Sequence, residues 1–369
     1  MNMLLRFLCL FICFVLHGEL KVAIFTGKVQ GLPPWDPDSV KRGITGSEEA
    51  VIYMSQKLAA LGCKVTVFAD APEGSSYSVP GANPRFVGFD RYNEEKFDVG
   101  VCWRMPKTAA FFRQFAKKVY LWPHDLCAEQ YTQVEILGFN EVLWLSRSQR
   151  EQWLSINPEF VGFQKIFGNG INPEQFDEVA ERKNPYSCIY ASSYTRGLHV
   201  LLDIWPIVKR QFPRATLDVY YGWQKWGLLS LQEESKMKAQ IRSMAFLGVR
   251  EHGLVGHEEL NRAYGTASFW TYPCTALVAE TFCISALRAQ FAGAVPVVIK
   301  GSALEETVRF GYFCRETEEY LATLLDAMSH AGEISLDMRR SQREFILQEY
   351  TWERMAAKWK ALFDSGINQ

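Results

Sequence analysis

The sequence predicts an α/β protein with two Rossmann-like, doubly wound parallel-sheet domains facing a central cleft. Short apolar runs alternate with helical stretches over residues 21–146, the βαβ rhythm of a sheet covered on both faces. The rhythm then breaks at Gly168-Asn169-Gly170-Ile171-Asn172-Pro173, which is dense in turn formers, and restarts. A length of 369 residues suits about two such domains.

In order, residues 21–26 read as the first strand, and residues 48–61 carry helical spacing that Gly62 ends. Strands follow at 63–69, 98–102, 118–122 and 142–146. After the break come a strand at 187–190, a helix at 197–211 and strands at 216–221, 267–272 and 295–299. A last helix is expected over about residues 338–363, where Trp352, Met355, Ala356, Trp359, Leu362 and Phe363 form an apolar stripe. The expected organisation is an apolar segment at 1–19, a first domain at 20–167, a second at 168–340 and a closing helix at 341–369 that crosses back to the first. Residues 168–173 are the expected hinge.

Composition narrows the function. A net charge of −1 gives no field to hold nucleic acid. Aromatics make up 14% of the chain, with 11 Trp, which suits sugar-stacking surfaces or simply a large core. The nine cysteines are scattered and contain no C-x-x-C, so they read as reduced, partly buried thiols of a reducing compartment. No Cys/His cluster has metal-ligand spacing. The apolar run from Phe7 to Leu16 follows Arg6 and is short for a membrane span. It is open between a signal, an uncleaved membrane-contacting segment and a start placed too far upstream.

Several stretches carry candidate chemistry. The chain Ala279-Glu280-Thr281-Phe282-Cys283-Ile284 reads as the mouth of a helix with a carboxylate at it. Exposed N–H groups and the macrodipole there favour an anion, so Phe282, Cys283 and Ile284 are candidate phosphate ligands. Glu280 itself is either a ligand of substrate or a capping acid. In Ala191-Ser192-Ser193-Tyr194-Thr195-Arg196-Gly197, between a strand and a helix, Arg196 offers a planar fork for phosphate oxygens and Ser192 a hydroxyl donor. The other reading of Arg196 is a solvated cation at a helix start. The long loop leaving the first strand ends in Arg42-Gly43-Ile44-Thr45-Gly46, where Gly46 lets backbone approach a ligand or simply turns into a helix. This is not G-x-G-x-x-G, which removes the dinucleotide fingerprint and disfavours a nicotinamide oxidoreductase. His124 follows a strand end, where open sheets place ligands, and is either a cleft residue or a satisfied structural histidine. Asp36-Pro37-Asp38 lies in a turn-rich loop and reads as loop chemistry with no metal; Trp35 beside it offers a stacking face on the acceptor side.

Together these motifs resemble, over roughly residues 20–363, the retaining glycosyltransferases of the two-domain GT-B fold, group 1 (family 4) type. The resemblance implies transfer of a sugar from a nucleoside diphosphate sugar to a glycan or other hydroxyl acceptor, without a cofactor or an essential metal. It implies that Glu280 binds hydroxyls of the transferred sugar and that His124 lines the site. Gly46, Ser192, Arg196 and the N–H groups of residues 282–284 would hold the diphosphate. The stretch from Gly248 to Leu260 resembles the loop that receives the base through the backbone of Leu254 and Val255. The family's second glutamate, which takes the ribose hydroxyls, stands eight positions after the first; here that position is Arg288. A guanidinium only donates hydrogen bonds. A catalytically weak relative that binds nucleotide or glycan is therefore the alternative. A nucleotide-sugar donor places the chain on the cytoplasmic side, with membrane contact left open through the N-terminal segment.

Overall fold

The computed structural model describes residues 19–27, 33–222, 231–274 and 279–367. The apolar run at 7–16, with Cys9 and Cys13, lies outside the described residues, as do residues 28–32 of the long first loop.

The first half contains β1 (Lys21–Gly27), α1 (Gly46–Ala60), β2 (Lys64–Ala69), β3 (Arg85–Val87), β4 (Phe97–Trp103), α2 (Ala109–Phe112), β5 (Ala116–Trp122), α3 (Gln133–Leu137), β6 (Glu141–Val142) and α4 (Arg147–Ile156). The second contains β7 (Ser187–Ser193), α5 (Leu198–Gln211), β8 (Thr216–Gly222), α6 (Leu231–Ser243), β9 (Val249–Gly253), α7 (His257–Thr266), β10 (Phe269–Tyr272), α8 (Ile284–Phe291), β11 (Val295–Ile299), α9 (Leu304–Thr307), β12 (Tyr312–Cys314) and α10 (Tyr320–Ser329). The chain ends with α11 (Leu336–Glu349) and α12 (Trp352–Ile367).

The strands form two six-stranded parallel sheets, ordered β3-β2-β1-β4-β5-β6 and β12-β11-β10-β7-β8-β9. In each, the order reverses beside the first strand of the half, and the carboxyl ends there open a crevice. Runs such as Val22-Ala23-Ile24-Phe25 and Val295–Ile299 are buried throughout, as strands covered on both faces require. The α12 side chains of Trp352, Met355, Trp359 and Phe363 pack in the core of the first sheet with α1, so the closing helix crosses back to the first domain.

Several boundaries depart from expectation. The final helix is two helices, because Tyr350 leaves helical geometry (φ −133°) and its carbonyl accepts from Ile171 N–H while Trp352 N–H donates to Ile171. The 142–146 strand is two residues long: past Val142 the chain turns into Ser146, the N-cap of α4. Residues 249–253, expected as a base-receiving loop, are the edge strand β9, paired parallel with β8 with a register shift at His252. Its exposed Arg250, Glu251 and His252 hid the strand, as edges exposed to water carry charge. The short strands β3 and β12 were not foreseen, each only three residues long.

Candidate functional site

A cleft of about 580 Å³ opens between the carboxyl ends of the two sheets. One end is built within the second domain. Glu280 is not in a helix; α8 starts at Ile284, with Cys283 as N-cap, and Glu280 sits in the segment before it. That segment is fixed on both sides. Glu280 N–H donates to Ser302 Oγ at 3.0 Å, and its carbonyl accepts from Ala303 N–H at 3.2 Å. Ser146 Oγ donates to the Thr281 carbonyl at 2.8 Å, and Thr281 Oγ1 donates to the His124 carbonyl at 3.2 Å, which ties the segment to the first domain. Ser285 Oγ donates to the Ala191 carbonyl at 3.1 Å, so the first turn of α8 is fastened to the end of β7.

The Glu280 carboxylate accepts from Arg196 Nη1 at 3.0 Å and from the Tyr272 hydroxyl. Burial, then the Glu280 charge, holds the Tyr272 phenol well above its usual pKa, so it remains a neutral donor. Burial disfavours the Arg196 cation, but Glu280 together with Tyr272 and Cys274 more than offsets this and keeps it charged. Gly197, at φ +95°, follows Arg196; a Cβ there would collide with the Pro273 carbonyl, so glycine lets the β7–α5 and β10–α8 loops meet. Ser192, Phe282, Cys283 and Ile284 also line this end.

The first-domain wall carries Gly46 at the start of α1, His124 after β5 and Asp125, which takes a two-pronged bond from Arg104 at 2.6 Å for each contact. His124 is 7% exposed between the rings of Trp122 and Trp103, at centroid distances of 4.6 and 5.7 Å. Burial, then Arg104, depresses its pKa well below the usual value, so the ring is neutral near pH 7. Among the described residues its Nε2 has no hydrogen-bond partner, nor do Thr45 Oγ1 on the same wall and Asn169 Oδ1 of the 168–173 segment, which also lines the cleft. Trp35 is not part of it. That side chain is 4% exposed and packed on Phe86 and Trp103, which leaves no face for a sugar.

The other end spans both domains. Arg288, one turn into α8, is 3% exposed, and its Nη2 lies 2.6 Å from Glu49 Oε1 on α1. It also donates to Asn261 of α7 and approaches His257 Nδ1 at 3.2 Å. Tyr53 Oη lies 2.9 Å from the same nitrogen. Burial, then Arg288, holds His257 well below its usual pKa, so its ring is neutral. With Nδ1 accepting from Tyr53 and Arg288, the proton belongs on Nε2, which faces Glu49 Oε2 at 3.5 Å. The expected base loop is Leu254–Gly256 alone. Here Gly43 (φ +97°) packs so closely that a Cβ would strike Leu254 Cγ and the Val255 carbonyl, each 2.6 Å away. Leu254 and Val255 both line the cleft.

Glu280 and Arg196 therefore meet directly, beside Ser192 and the start of α8. Arg288, which stands where the resemblance puts a ribose-binding glutamate, lines the cleft and is neutralised by Glu49. Sequence reasoning missed Glu49, Tyr272, Ser302 and Arg104. The available signals were a second acid after the glycine loop and polar residues at strand ends; the positive φ of Arg104 (+61°) is visible only in coordinates.

No family model matches the sequence, and no curated protein matches it. Solved structures do match in shape. A sucrose-phosphate synthase from Thermosynechococcus elongatus aligns with a TM-score of 0.72 and 14% identity, covering 94% of this chain and 99% of its own. HepE from Anabaena, solved with UDP-glucose, aligns at 0.66 and 13%, covering 94% and 100%. The catalytic domain of starch synthase IV from Arabidopsis thaliana, bound to ADP and acarbose, aligns at 0.66 and 10%, covering 95% and 100%. The chain has the GT-B glycosyltransferase fold over nearly its whole length.

Proposed function

We propose that the protein is a retaining glycosyltransferase that moves a sugar from a nucleoside diphosphate sugar to a hydroxyl acceptor, with no essential metal. The observation that carries this is the buried Glu280 carboxylate, held by Arg196 and Tyr272 beside the N-terminus of α8. In this reading the diphosphate takes Arg196, Ser192, the Gly46 backbone and the N–H groups of residues 282–284. Arg196 brings donors in a fixed fork, and free helix N–H groups favour an anion. Glu280 orients hydroxyls of the transferred sugar. The neutral His124 accepts from a further sugar hydroxyl through Nε2. Rate enhancement is electrostatic: preorganised donors meet the charge that grows on the departing diphosphate while a cationic sugar forms. Leu254 and Val255 meet the base through their backbone. The two sheet domains close about residues 168–173.

The neighbours bound to UDP-glucose and to ADP with acarbose support the substrate class by likeness of fold. The arginine at position 288 no longer favours an inactive binding protein, because its charge is met by Glu49. Incubating purified protein with a panel of nucleoside diphosphate sugars tests the proposal, with hydrolysis and transfer to hydroxyl acceptors followed in the presence of EDTA. Turnover with retained anomeric configuration is expected. Inverted product, EDTA-sensitive activity or binding without turnover would each overturn part of the assignment.

No helix among the described residues is long and apolar enough to cross a membrane. Cytoplasmic residence, with membrane contact through residues 1–19, belongs to the same proposal, and fractionation of cells expressing the full chain tests it.

A further inference from the structure

Three carboxylates line the cleft: Asp125, Glu280 and Glu49. Asp125 is engaged by both prongs of Arg104. Glu280 takes Arg196 and Tyr272 on one oxygen, Oε1, at the sugar end, where its remaining capacity is assigned to the transferred sugar. Glu49 lies at the opposite end of the cleft. One oxygen receives Arg288 at 2.6 Å, while the other faces only the 3.5 Å approach of His257 Nε2, longer than a normal hydrogen bond. A carboxylate has about four lone-pair sites, so Glu49 retains acceptor capacity.

Its position fits a particular ligand group. Arg288 lies four residues after Ile284, about 6 Å along the helix axis from the N–H groups that would hold phosphate. That is the reach from a phosphate to the far edge of the pentose it esterifies. Vicinal pentose hydroxyls present two donors, and Arg288 can accept neither. Glu49, which Arg288 holds at this depth, can accept both.

We propose that Glu49 reads the vicinal hydroxyls of the nucleotide's pentose, reaching across the cleft from the first domain, with Arg288 as its positioning residue. This rests on the donor reading given above. The pentose contact then belongs to the first domain, while most of the diphosphate contacts belong to the second. A nucleotide bridges the two sheets, and recognition of its pentose requires them to be closed.

The test measures dissociation constants of the unmodified full chain for ADP, UDP and GDP, each beside its 2′,3′-dideoxy counterpart. For the base that binds best, the dideoxy form is expected to bind at least tenfold more weakly. In Glu49→Gln that ratio should fall towards one, with the weakening confined to the ribose form. Should Glu49→Gln not fold, the charge-swapped pair Glu49→Arg with Arg288→Glu replaces it. The swap keeps a carboxylate at the same depth and is expected to retain the ribose preference. Equal binding of the ribose and dideoxy forms by the unmodified protein overturns the inference but leaves the donor proposal standing. A preference undiminished in Glu49→Gln, or lost in a folded charge swap, overturns it too. Absence of binding by every nucleoside diphosphate sinks both.

Discussion

The two ends of the cleft are built on opposite plans. The Glu280 end draws its groups from two neighbouring strand ends of one sheet: Arg196 after β7, and Tyr272 and Glu280 at the end of β10 and in the connection to α8. The Arg288 end is shared, with Glu49 and Tyr53 from α1 facing Arg288, His257 and Asn261 from the second domain. The first end is held together by contacts within the second domain. The second exists only when the domains meet. Substitutions at the two ends should therefore fail differently, one in affinity and rate, the other in stability and closure.

The largest effect belongs to Arg288→Met. It leaves the buried Glu49 carboxylate without its cation, a loss of roughly 3–5 kcal/mol by analogy with broken buried pairs. Adding Glu49→Met should restore most of this, since a buried pair removed as a unit costs little. Urea titrations of the unmodified protein and the two variants check it, and a double variant no more stable than Arg288→Met would mean that Asn261 and His257, not Glu49, are what Arg288 serves.

At the other end, Arg196→Ala should leave the domains joined but weaken nucleoside diphosphate binding. Loss of hydrogen bonds to a charged group is worth about 1.5–3 kcal/mol, or roughly ten- to a hundredfold in dissociation constant. Calorimetry checks it; an unchanged constant would make Arg196 only a partner for Glu280. Glu280→Ala should act on rate, lowering donor hydrolysis more than tenfold, that is by over about 1.4 kcal/mol of transition-state stabilisation. Unchanged turnover would remove it from the list of sugar ligands.

The contrast also explains which features the sequence revealed. Arg196 and Glu280 sit in strand–loop–helix contexts whose chemistry is local, so neighbouring residues are enough to suggest an anion site. Glu49 and Arg288 are 239 residues apart, and nothing near either one announces the other. Arg288 stood out only as a misfit, because its neutralising partner comes from another domain. Trp35 misled for a related reason: a turn-rich loop suggests exposure, but Asp36 caps a short turn and its oxygen takes Ser75 Oγ at 2.7 Å, which folds the tryptophan inward. The sheets were legible where strands are buried on both faces and illegible at β9, whose outer residues are charged.

The smallest effects are in pH, and they set the α1 carboxyls against the two histidines. Glu48, beside Glu49, is 1% exposed, and burial pushes its carboxyl up to about 7 from 4.5. Protonation in the folded state favours folding; that contribution is complete below about pH 4.5 and gone once the pH has risen through about 7. His124 and His257 run the other way. Burial depresses both, so the unfolded chain takes up the proton first, and their stabilising contribution, present above about pH 6.5, is lost as the pH falls. Going from pH 8 to pH 6, Glu48 adds stability while each histidine subtracts from it, so the two kinds of group oppose one another. Glu48→Gln removes the compensation. Its stability should fall more steeply over that range than that of the unmodified protein, whereas His124→Asn should tolerate acidification better than the unmodified protein. Denaturant titrations at pH 8 and pH 6 decide between them: identical pH slopes for the unmodified protein and Glu48→Gln would mean that the buried carboxyl stays charged in the folded state, with Arg104 as the cation that keeps it so.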